Sequence, residues 1–179
     1  MALRLLLLTL ALAVLHSTQA AADVLETLIA QHHCDIVERL DQIRNTKKRR
    51  DGKDRFLIVS PALRDDKFVQ CIFFADDRKM LCEAASGYFL TKPGEPRRRA
   101  TTPSGTAALA SLGFSTDDSA GNFKREIESP DFAAHGQVAR LMLSALHAAY
   151  DVNLATMLKF YAPLAMDRRR IDARCRTVG

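Results

Sequence analysis

The chain has no C-x-x-C pair, no glycine-rich phosphate loop, no internal repeat and no second long apolar run after its N-terminal one. Each absence removes a class of function. Without C-x-x-C there is neither a thioredoxin-type redox motif nor the paired-cysteine signature of a zinc site. Without a Gly-rich loop there is no backbone cradle for nucleotide phosphates. Spanning a bilayer takes roughly 20 apolar residues, and nothing beyond the N-terminus offers them. Ser86 and Ser104 each precede a glycine, which is turn chemistry and no nucleophile elbow.

What is present begins at the N-terminus. Arg4 supplies a positive start, Leu5 to Leu15 is apolar apart from Thr9, and small residues follow up to Ala22. This is the pattern of a secretory signal peptide over residues 1–22, too short to be a membrane span. It predicts an exported protein, periplasmic or extracellular, with its mature N-terminus at Ala21 or Asp23 and no stable membrane insertion after cleavage. No cysteine follows a cleavage site, so no lipid anchor is expected. Residues 23–165 then read as a single domain and 166–179 as a basic C-terminal tail.

The formal net charge is +5, and the basic residues cluster at Lys47–Arg50, Arg97–Arg99 and Arg168–Arg170. The plain reading is solvated loops and helix ends. The rival is contact with anionic envelope surfaces. Nucleic acid is not an expected partner of an exported chain.

Hydrophobic periodicity gives the element order. Leu25, Leu28, Ile29, Ile36, Leu40 and Ile43 predict a helix from Val24 to Arg44, with Asp23 as its N-cap, followed by a charged loop over Asn45–Asp54. Phe56–Val59 is a short strand. Phe68–Ala75 is a second, with Ile72 and Phe74 on one face and Val69, Cys71 and Phe73 on the other; apolar groups on both faces predict a strand buried on both faces, in the middle of a sheet. After a turn at Asp76–Arg78, Lys79–Ala85 returns as a third strand of a hairpin. Thr91–Pro103 is a loop, Ser104–Leu112 a short helix ended by Gly113, and Asn122–Glu128 a fourth strand. Val138, Leu141, Met142, Ala145, Leu146, Ala149 and Tyr150 mark a long helix starting at Ser129-Pro130-Asp131. Leu154, Met157, Leu158 and Tyr161 continue a helical stripe past a break near Asp151–Asn153. The sum is an α+β fold: an antiparallel sheet of about four strands, flanked by an N-terminal helix and long C-terminal helices.

Four cysteines, Cys34, Cys71, Cys82 and Cys175, enter an oxidising space and allow three pairings. A hairpin loop centred on Asp76-Asp77 places Cys71 opposite Cys82. A loop shifted to Asp77-Arg78 would set Phe73 there instead. The first register leaves Cys34 to pair with Cys175, closing a loop that the chain-entropy model values at about 4–5 kcal/mol. Four buried or free thiols are the alternative.

Catalytic and metal chemistry is sparse. His32 and His33 are adjacent, so on a helix they point about 100° apart and do not chelate one ion well. The pairs Asp65-Asp66, Asp76-Asp77 and Asp117-Asp118 sit in polar connectors, where carboxylates stay solvated. No metal or other cofactor is expected.

Phe68-Val69-Gln70-Cys71-Ile72-Phe73-Phe74 resembles a strand of YbjN-like domains, Leu81–Leu90 is similar to the strand that follows, and Leu112-Gly113-Phe114 with Asn122-Phe123 resembles the family's later blocks. Phe114 stands where the family usually has Trp. The resemblance covers roughly Phe56–Tyr161. It implies the fold of the type III secretion chaperones, a helix-flanked antiparallel sheet that binds peptide segments. The reading is therefore an exported, non-enzymatic binding module for a protein or peptide, acting through an exposed sheet face or a groove beside it. Alternation gives the candidate contacts Gln70, Ile72, Phe74, Glu83 and Phe89, Glu83 being a carboxylate inside an apolar strand. The rival readings are a small envelope hydrolase using His135 or His147, and an anionic-surface binder using the arginine runs.

Overall fold

The computed structural model describes residues 2–46, 54–74, 76–92, 94–128, 131–165 and 175, with side chains from residue 22 onward. Its elements run α1 (Ala2–Asn45), β1 (Phe56–Pro61), β2 (Val69–Phe74), β3 (Lys79–Ala84), a 3-10 turn (Tyr88–Leu90), α2 (Pro103–Ser111), β4 (Phe123–Glu128), α3 (Phe132–Tyr150) and β5 (Leu158–Tyr161). The strands form one antiparallel sheet in the order β4-β3-β2-β1-β5. The fold is α+β.

The buried positions of α1 and α3 face one side of the sheet. Leu28, Ile36, Leu40 and Ile43 of α1 and Val138, Met142 and Leu146 of α3 are all at 0% exposure, as are Leu57, Val59, Val69, Cys71, Met80 and Cys82 of the strands. Alternation along each strand sends this set to the helices and its neighbours to the opposite face.

Local chemistry explains the element ends. The Asp131 carboxylate accepts from the Ala134 N–H at 2.9 Å and starts α3. Asp151, at φ 60°, ends it in the left-handed conformation. Thr102 caps α2 through the Gly105 N–H at 3.1 Å, with Pro103 at the first helical position. In the β2–β3 turn Asp76 and Asp77 both have positive φ, a conformation that short polar side chains tolerate. Asp77 then accepts from Arg55 at 2.6 and 3.0 Å, tying the turn to the start of β1. The Tyr150 hydroxyl donates to the Ala85 carbonyl at 2.7 Å, fastening α3 to the end of β3, and burial pushes its pKa up.

Four expectations are corrected. The first helix does not start at an Asp23 cap: α1 runs unbroken from Ala2, and the Asp23 carbonyl accepts from the Thr27 hydroxyl inside it. The segment after Asp151 is no helix. Leu154 and Met157 are 45% and 76% exposed, so the apparent stripe has no buried face, while Leu158 and Phe160 turn inward as alternate residues of β5. Phe160 lies under Arg39, 4.8 Å from its ring centre. Among the described residues the sheet therefore has five strands, and between β4 and β5 there is one long helix rather than two. Finally, β2 is central but helices cover only one of its faces, leaving Phe74 37% exposed. The expected loop over Asn45–Asp54 and the basic tail fall mostly outside the described residues.

Among the described residues, no helix is long and apolar enough to cross a membrane.

Candidate functional site

The uncovered face of the sheet is built by register. One row runs Tyr161–Ile58–Gln70–Glu83–Lys124 across all five strands, and the next runs Phe56–Ile72–Leu81–Glu126. Phe74, Lys79 and Glu128 form a third, shorter row. The face is graded. Phe56, Ile58, Ile72, Leu81 and Tyr161 make an apolar band over β5, β1, β2 and the middle of β3, while β4 contributes Lys124, Glu126 and Glu128. Lys79 bridges that charged side, 3.8 Å from Glu126 and 3.4 Å from Glu128. The Phe56 and Tyr161 rings meet at 5.7 Å. Beside them a cavity of about 390 Å³ is lined by Ile58, Ser60, Asp65, Phe68, Lys159 and Tyr161.

Gln70, Ile72, Phe74 and Glu83 all lie on this face. Glu83 accepts from the Gln70 side-chain N–H across the strand pair, which accounts for a carboxylate in an apolar strand. Phe89 does not join them. It lies on the 3-10 turn, 73% exposed, with its ring edge-on to Tyr88 and its tip near Gly121. Sequence reasoning missed Phe56, Ile58, Leu81 and Tyr161. Phe56 and Ile58 share a parity that could have revealed them. Tyr161 was hidden by its place in an apparent helical stripe.

The cysteines are brought together in pairs. Cys71 and Cys82 are direct register partners, with Cα atoms 4.0 Å apart and sulfurs at 2.05 Å. Cys34 and Cys175 have Cα atoms 5.5 Å apart and sulfurs at 2.33 Å.

The histidines have structural surroundings. His135 is fully buried, and neither of its ring nitrogens has a hydrogen-bond partner among the described residues. Burial lowers its pKa to about 4. His147 donates from Nδ1 to the Val152 carbonyl at 2.7 Å, at the end of α3. Among the described residues neither is hydrogen-bonded to a carboxylate. His32 is also held below the usual imidazole range by burial, opposed by Asp35. Asp35 pairs with Arg39 at 3.1 Å rather than with a histidine.

The carboxylate pairs are likewise engaged. Asp66 pairs with Arg64 at 2.9 Å, and that bond holds its pKa below the usual carboxylate range. Asp117 caps the Ser119 N–H and Asp118 pairs with Arg97. Of the basic runs, only Arg97–Arg99 is described; Lys47–Arg50 and Arg168–Arg170 lie outside the described residues.

Residues 18–163 match the sequence model of a family described as T3SS (YopN, CesT) and YbjN peptide-binding chaperone 3. No curated protein and no solved structure matches the chain.

Proposed function

Because the chain belongs to the T3SS (YopN, CesT) and YbjN peptide-binding chaperones, we propose that it is an exported, non-enzymatic module that binds an extended peptide segment on the uncovered face of its sheet. The observation that carries the reading is the apolar band of Phe56, Ile58, Ile72, Leu81 and Tyr161 on a sheet whose other face is sealed by helices. A solvated face of an antiparallel sheet ordinarily carries polar residues. A peptide with apolar side chains at alternate positions would lay them on this band, leaving its polar side chains in water. β5 is an edge strand, and among the described residues no strand pairs with its outer side, so its backbone groups there offer bonds to such a segment.

Export is supported by the leader pattern of residues 1–22, and a oxidising compartment suits the paired cysteines.

The test uses fluorescence anisotropy with labelled peptides of alternating apolar and polar residues. Ile72→Lys removes one apolar contact from the centre of the band, and burying such a side chain is worth about 1.5–3 kcal/mol. Affinity should fall about tenfold to a hundredfold while the thermal melt stays in place. Unchanged affinity in Ile72→Lys and in Leu81→Glu would place binding elsewhere.

A further inference from the structure

The two cysteine pairs sit in opposite surroundings. Cys71 and Cys82 are at 0% exposure beneath the helices. Cys34 and Cys175 line an open groove of about 660 Å³ between α1 and α3, walled by Ile29, Val37 and Phe132. Cys34 is partly exposed there and Cys175 is buried.

His33 stands beside the second pair. Its Nδ1 is 3.7 Å from the Cys175 sulfur, and its Nε2 is 3.3 Å from the Gly136 carbonyl. A carbonyl only accepts, so Nε2 carries the hydrogen and Nδ1 faces the sulfur. In the imidazolium form both nitrogens donate, one to Gly136 and one to Cys175. A Cβ at position 136 would lie 3.4 Å from Nε2, an ordinary van der Waals contact, so the ring packs directly against α3 at Gly136.

We propose that Cys34 and Cys175 form a thiol–disulfide exchange site, entered through the groove, with His33 stabilising the departing sulfur. The reactant is a thiolate. It attacks the accessible Cys34 sulfur, forming a new S–S bond to Cys34 as the Cys34–Cys175 bond breaks. The electron pair goes to the Cys175 sulfur, which takes the Nδ1 proton of the His33 imidazolium. A second thiolate attacks the mixed disulfide, releasing the oxidised reactant and the Cys34 thiolate. Two electrons pass from the thiols to the protein. The direction of attack follows from the geometry: exchange favours the reachable sulfur and the better leaving group, and the imidazole is on Cys175. This function is separate from peptide binding on the sheet, which lies on the far side of the core.

The experiment treats the oxidised full chain with reduced glutathione, and separately with an apolar peptide bearing one cysteine, then traps thiols by alkylation and maps them. In at least one arm, Cys34 should carry the adduct and Cys175 the alkyl group while Cys71–Cys82 stays closed. A faster reaction of the peptide than of glutathione identifies a client thiol as the reactant; the reverse identifies a small-molecule thiol. Without the imidazole the Cys175 sulfur leaves with no proton donor beside it and is a poorer leaving group, so His33→Ala should slow exchange about threefold to tenfold. His33→Asn, which keeps an N–H near the Nδ1 position, should recover part of the loss. Equal rates for the two cysteine pairs, an adduct on Cys175, no Cys34–Cys175 bond in the oxidised protein, or an unchanged rate in His33→Ala with an unchanged melt would each overturn the proposal.

Discussion

Acid should destabilise this fold through His135, and the size of the effect can be worked out. The ring is fully buried on α3, edge-on to Phe73 with centroids 5.8 Å apart and 6.4 Å from Phe132. Burial dominates its titration and lowers its pKa to about 4; Asp41 and Asp131 pull the other way and Arg44 adds to the lowering. In the unfolded chain the same imidazole titrates near 6.5. As pH falls below that value the unfolded state takes a proton that the folded state refuses. The stabilisation is therefore complete above about pH 7 and is lost progressively towards pH 4. Linkage gives a loss of about 2 kcal/mol between pH 7.5 and pH 5 from this group alone. His135→Leu removes the titration, and replacing unpaired buried nitrogens with an apolar side chain is neutral or stabilising at pH 7.5. Urea unfolding of parent and variant at both pH values isolates the term, because contributions from His32 and the carboxylates cancel in the difference. The variant should lose about 2 kcal/mol less than the parent. Parallel losses would refute the reasoning, since they would mean that the folded protein protonates His135 as readily as the unfolded chain.

Two further outcomes are expected. Leu146→Ala, at a site with no exposure, should cost about 2–5 kcal/mol in the same denaturation assay, and Leu141→Ala, 8% exposed, should fall at the lower end of that range. Intact-mass measurement of exported protein should give an N-terminus at Ala21 or Asp23, and a mass retaining Met1 to Ala20 would contradict export with cleavage.

What could be read in advance follows the range of the interactions involved. Helix α3 was legible because its stripe, its Asp131 cap and its end near Asp151 are local signals that agree. The β2–β3 register was within reach because a short turn couples Cys71 to Cys82 geometrically. Gln70, Ile72 and Glu83 were placed on one face by alternation within two neighbouring strands. The pairing of β1 with β5 was not legible, since it joins segments about a hundred residues apart and the β5 spacing fits either period. With β5 misread, Tyr161 and the apolar band around it could not be assembled. The continuous α1 was hidden because small residues near Ala20 favour helix as readily as they mark a cleavage site.

The Cys34–Cys175 pair has a mechanical consequence. With that bond closed, a sequence separation of 141 residues becomes a covalent ring that holds the whole sheet, α2 and α3. A motor that grips either end of the chain would pull through the two sulfurs, and the strands inside the ring would carry none of the load. Such a machine would have to pass the ring as a double thickness of chain, or wait until the bond opened. Reduction at Cys34 would turn the same molecule into a linear thread whose sheet unzips under force.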